Sequence, residues 1–257
     1  MRRLIGMLVL VFAAGACAAN CSAQEQGKKQ ASIASLVRTL GYGGAIHHFK
    51  DYVLRGDEKY GVAAKAMFRR ANTHLAELGK ASLTADEKRA IDALRDVVAK
   101  YEANIPVVQR LHQQKESVEV IDESVAVDDS RAIRALGTLR EGQSWKVLDD
   151  LDYHVGYGSG IHNFKDFVLR ADEKYRAQSM AGLSKVLLIV TRYRSTPGLD
   201  KDQMAALDSI EKVVRTYETS LTKVQSLVGE GKNAQEIDKA VRVDDDPAFK
   251  GLSTLRK

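Results

Sequence analysis

Apolar positions along this chain step by three and four almost from one end to the other. Tyr42, Ile46, Phe49 and Val53, then Tyr60, Ala63, Met67, Ala71 and Leu78, keep that spacing with no proline between them. The pattern predicts one long helix from Ala31 to about Leu78. Its weak point is the triple Gly41, Gly43 and Gly44, at roughly 1 kcal/mol each relative to alanine. Gly79 ends the run, and Thr84 with Glu87 forms a capping box for a second helix. There the apolar positions repeat every seven residues: Ile91, Leu94, Val98, Tyr101, Ile105 and Val108. Pro106 falls inside that helix and is expected to kink or break it. A short third helix follows, capped by Asp129 or Ser130. No stretch alternates with the period of a strand.

The plan then starts again. A second long helix is predicted from about Trp145 to Arg194, with Tyr157, Ile161, Phe164, Val168 and Tyr175 on its apolar stripe. After Pro197 and Gly198, Asp200 and Gln203 imitate the capping box, and Leu207, Ile210, Val214, Tyr217, Leu221, Val224 and Val228 form a second seam. Asp246 and Pro247 open a last short helix. Two tandem helical hairpins are expected, residues 31–141 and 144–257, each with a short C-terminal helix. A helix of about 45 residues would be about 65 Å long. One such hairpin exposes its seam, whereas two bury theirs together. The expected fold is therefore all-α, an elongated antiparallel four-helix bundle with pseudo-twofold symmetry.

The repetition is concentrated. GYGGAIHHFKDYVLRGDEKY at 41–60 returns as GYGSGIHNFKDFVLRADEKY at 156–175, with 15 of 20 positions identical. Over the next 20 residues of each half only Ala66 and Ala181 coincide. A second block, IDESVAVDDSRAIRALGTLR, matches its counterpart at 11 of 20 positions.

Composition changes the picture mainly at the front. Arg2 and Arg3, an apolar run from Leu4 to about Ala14, and small residues up to Ala23 read as a secretory signal, residues 1–23. The run is too short for a membrane span of about 20 residues, and no later stretch reaches that length. The expected location is the periplasm or the exterior, with a lipid anchor at Cys17 as the alternative. Cys17 and Cys21 both lie in this segment, so a mature chain would carry no disulfide. Loss of its two arginines takes the net charge from +5 to +3. With charges interspersed rather than clustered, nucleic acid is not an expected partner.

The candidate chemistry lies in the repeated stretch. Tyr42, Ile46, Phe49, Val53 and Tyr60 form a stripe that packing alone explains. The glycines let helices approach closely or leave a small cavity. Asp51 and Arg55 sit at ion-pair spacing, and with Glu58 and Lys59 they read first as a solvated face. Yet both copies keep His, Lys, Asp and Arg, namely His47, Lys50, Asp51 and Arg55 with His162, Lys165, Asp166 and Arg170. Paired cations beside small residues suit a carboxylate or other anion. The candidate ligand-binding set is Tyr42, His47, Lys50, Arg55, Tyr157, His162, Lys165 and Arg170.

No serine or cysteine nucleophile accompanies the histidines, so no catalytic residue is assigned and no enzyme is expected. Non-covalent haem or a metal ion is the lesser alternative. One histidine per hairpin is a poor metal site, since His48 becomes Asn163, and no cofactor is assigned.

GYGGAIHHFKDYVLR and its twin resemble a segment in the extracytoplasmic helical sensor regions of some bacterial chemoreceptors, histidine kinases and diguanylate cyclases. Gly41, Tyr42, Gly43, Gly44, Ile46, His47, Phe49, Lys50, Tyr52, Val53, Leu54 and Arg55 match the family pattern, Asp51 and Asp166 standing where asparagine is usual. The resemblance spans 15 to 20 residues per half. It implies a sensor-like module, duplicated in one chain and without a second span or output domain, that binds a ligand and presents it to a membrane receptor or scavenges it. The other reading is a protein-interaction or envelope-structural bundle.

Overall fold

A computed structural model describes residues 24–257. The segment read as a signal, with Cys17, lies outside the described residues. The described chain is all-α, and the same succession of six helices occurs twice. In the first half these are α1 (24–40), α2 (Ala45–Arg55), α3 (Glu58–Leu78), α4 (Ala85–Gln113), α5 (Val118–Val125) and α6 (Ser130–Arg140). In the second they are α7 (Val147–Val155), α8 (Gly160–Arg170), α9 (Glu173–Arg194), α10 (Lys201–Gly229), α11 (Ala234–Val241) and α12 (Asp246–Leu255). Among the described residues no helix is long and apolar enough to cross a membrane.

The two helices expected to run unbroken for about 45 residues are each divided twice. The first break is at 41–44 and 156–159. There Gly43 and Gly158 adopt φ of +70° and +79°, which a side chain disfavours. The second break follows Arg55, where Gly56 takes a left-handed cap and its N–H bonds the Tyr52 carbonyl. Asp57 then caps α3 by accepting from the Lys59 N–H. Ala171 holds the same left-handed position in the second half at φ +52°. The longest helices are α4 and α10, 29 residues each, or about 43 Å. Pro106 does not end α4, which runs on to Gln113.

The heptad seams are used locally. Tyr101, Leu94 and Ile91 of α4 are buried under α3 and α6, and α10 packs in the same way on α9 and α12. The motif helices α2 and α8 and the short arms α5 and α11 join the halves instead, with Arg38 of α1 reaching Asp149 of α7 beside them. The glycines explain how closely the halves meet. A Cβ on Gly156 would lie 3.0 Å from the Gly41 Cα, so the two backbones touch there.

Candidate functional site

Three polar residues of each motif turn inward, while Glu58, Lys59 and their equivalents stay at the surface. His47, Lys50, Asp51, His162, Lys165 and Asp166 are each no more than 7% exposed. Asp51, read from sequence as part of a solvated face, is therefore interior. Its i,i+4 partner Arg55 is at 3.3 Å, as the spacing predicts. Helix α8 packs on α2 and covers the face that carries Asp51.

The lysines pair across the halves. Lys50 Nζ donates to Asp166 Oδ1 at 2.5 Å, and Lys165 donates to Asp51. The arginines bind the short arms through two-pronged contacts. Arg55 Nε and Nη2 donate to the two oxygens of Asp238, each at 3.0 Å. Arg170 meets Asp122 in the same way, at 2.8 and 3.2 Å. Behind them Tyr60 and Tyr175 accept from the two guanidiniums.

The histidines each face two carboxylates. His162 Nε2 is 3.1 Å from Asp166 and 3.4 Å from Asp129, while His47 Nε2 is 3.4 Å from Asp51 and 3.5 Å from Asp245. Asp129 is held by the hydroxyls of Tyr101 and Tyr157, and Asp245 by those of Tyr42 and Tyr217. So the eight candidates from sequence all belong to one connected array. Tyr42 and Tyr157 enter it through the aspartates of the opposite half.

Between the motifs lies a small cavity of about 10 Å³, lined by Tyr42, His47, Lys50 and their equivalents Tyr157, His162 and Lys165 together with apolar residues such as Ile46 and Ile161. That is room for about one water molecule. Arg55 and Arg170 do not reach it.

Charge in the array is uneven. Six aspartates, 51, 122, 129, 166, 238 and 245, surround four cations, Lys50, Lys165, Arg55 and Arg170. Arg242 also reaches Asp238, from the surface, and so only on the Arg55 side of the array, since Ala126 stands at the equivalent position near Asp122. Burial would push the Asp51 carboxyl up, but Lys165, His47 and Arg55 outweigh it and hold it at about 2. Asp166 is also lowered, against its burial, by Lys50, His162 and Arg170.

The two histidines diverge. Burial, then Lys165, lowers His47 well below the ordinary imidazole range. Burial and Lys50 also act to lower His162, yet Asp166 and Asp129 prevail and raise it.

Four aspartates and two tyrosines were missed from sequence, all outside the motif. Asp122, Asp129, Asp238 and Asp245 are identical positions of the second repeated block, and Tyr101 and Tyr217 occupy one shared place on the seams. The available signal was the second repeated block, which carries all four aspartates. No protein-family model matches the chain, nor does any curated protein or solved structure.

Proposed function

We propose that this chain is a non-enzymatic, sensor-like binding module whose small ligand enters the space between the two motifs. One observation carries the reading: four buried basic side chains, two from each motif, converge on the small cavity between them. Removing such charges from water costs several kcal/mol per ion, and apolar residues of similar size usually serve stability as well or better. A purely structural junction has no need of it. His47, Lys50, His162 and Lys165 are the groups that would touch the ligand. The cavity sets its size: a water-sized guest fits directly, and anything larger requires α2 and α8 to part.

Both ammoniums already face carboxylates, so an anion would enter together with a compensating positive charge. An exported chain that carries such a ligand to a membrane receptor is the role that the resemblance adds. A second reading, a packing or protein-interaction device, draws on the same array, because every cation in it has a carboxylate partner within the chain.

Thermal melts against formate, nitrite, chloride, acetate, phosphate and small amines separate the two readings. A ligand present at about 100 times its Kd stabilises by about 2.7 kcal/mol. Val155→Ile adds one methyl group to the cavity wall and should remove that shift while leaving the fold intact. No shift with any compound, or a shift that Val155→Ile leaves unchanged, would favour the packing device.

A further inference from the structure

We propose that His162, Asp129 and Asp166 form a binding site for one divalent metal ion of the zinc or manganese type. The inference is independent of the small-ligand reading above. It begins with geometry: one donor atom from each of the three residues lies within 4.8 Å of the other two. The His162 Nε2 distances to the carboxylates, 3.1 and 3.4 Å, are long for charge-assisted hydrogen bonds, which run at about 2.7–2.9 Å. A single N–H cannot serve two such acceptors well. The same distances match the donor–donor edges, roughly 3.0–3.4 Å, of an octahedron or tetrahedron with bonds of about 2.1 Å. A nitrogen with two carboxylate oxygens suits borderline and hard divalent ions.

The surroundings already hold the donors. Tyr157 donates to Asp129 Oδ1 at 2.5 Å, and Tyr101 lies 2.7 and 2.9 Å from its two oxygens. Lys50 and Arg170 occupy Oδ1 of Asp166, leaving Oδ2 towards His162. Such outer contacts orient ligands and tune a metal site. The His162 ring packs edge-on to Tyr157, centroids 5.0 Å apart.

Charge also favours this half. Around His162, Asp122, Asp129 and Asp166 face only Lys50 and Arg170. Around His47 the count is relieved by Arg242, and the Lys165 ammonium stands 3.4 Å from His47 Nε2. A cation is thus already in place where the first half would hold its ion. One site per chain is expected.

The test is equilibrium dialysis of the chelator-treated chain against micromolar Zn²⁺, followed by Mn²⁺ relaxation of histidine NMR signals in the unmutated protein. Expected are one Zn²⁺ per chain, a melting point raised by zinc and returned by EDTA, and broadening of the His162 ring signals before those of the other histidines. His162→Gln and Asp129→Asn should each weaken binding about 100-fold or more, whereas His47→Gln should keep the stoichiometry. The relaxation measurement needs no variant, so a misfolded His162→Gln leaves the assignment testable. Absence of binding at these concentrations would overturn it. So would binding untouched by both variants, or Mn²⁺ broadening that begins at another histidine.

Discussion

The two motif copies share most of their residues but are not in the same electrical state. In the second half, His162 looks into two carboxylates and holds its proton more firmly than usual. In the first, His47 has Lys165 at 3.4 Å and loses its proton more readily. Lys50 makes no equivalent approach to His162 in the hydrogen-bond network of the described residues; it is committed to Asp166. One sequence pattern thus yields an imidazole that gives up its proton more readily on one side and one that holds it more firmly on the other. Both feel a neighbouring ammonium; the contacts of His162 with Asp129 and Asp166 make the difference. Near-identical residues do not guarantee equal sites once they are buried, because each charge is felt by every other.

The comparison breaks most visibly at the crossed lysines. Lys50→Met takes the ammonium from Asp166 and leaves it only Arg170 and His162, and removal of one partner of a buried pair costs about 3–5 kcal/mol. The midpoint of urea unfolding should fall accordingly. Adding Asp166→Leu to the same chain should recover most of the loss, a coupling that a double-mutant cycle reads directly. A Lys50→Met cost below about 1 kcal/mol would mean that the pair is solvated.

Acid tests the first half. Asp51 holds its proton less tightly in the folded chain, at about 2 instead of 3.8. Its contribution is complete above the unfolded value and is lost as pH falls through the folded one. The shift corresponds to about 2 kcal/mol, given up between about pH 4 and pH 2. In Asp51→Asn, stability followed over that range should flatten by about this amount.

Packing sharpens the contrast on a smaller scale. In the second half, α8 and α9 approach so closely that a Cβ on Gly182 would stand 2.4 Å from the Gly160 nitrogen, and the buried Ser179 hydroxyl donates to the Gly160 carbonyl at 2.8 Å. The corresponding first-half positions are Met67, Ala45 and Ala64. Gly182→Ala should cost roughly 1–2 kcal/mol, measured by thermal melt.

The smallest effect has the opposite sign. Ala171 sits at φ +52° where the first half uses Gly56. Ala171→Gly should therefore stabilise by about 0.5–1 kcal/mol, the relief of left-handed strain less the entropy glycine adds to the unfolded chain. A loss of stability would show that the Ala171 methyl group contributes packing worth more than that strain.

Helical periodicity made the all-α class and the two-part plan legible, since apolar spacing depends only on neighbours in the chain. The capping boxes at Thr84 and Asp200 stood at the helix starts that their residues predict. Periodicity could not reveal the breaks at Gly41–Gly44 and after Arg55. The apolar rhythm continues across both, and the breaks arise from backbone conformations that glycine permits but does not require. The eight candidate residues were legible because repetition singled them out. Their partners were not, because Asp129 reaches His162 across 33 positions and two helix turns of direction, a relation no local pattern encodes. Burial of Asp51 was hidden for the same reason: an acid on a helix face looks exposed until another helix covers it.

The crossed lysine pairs also bear on the order of synthesis. When the first half leaves the ribosome, Lys50 and Asp51 have no counterparts, since Asp166 and Lys165 lie more than a hundred residues downstream. Helix α2 can form its own turns early, but its polar face stays wet until α8 arrives. The buried charges of the early half therefore find their partners only once the late half has been made.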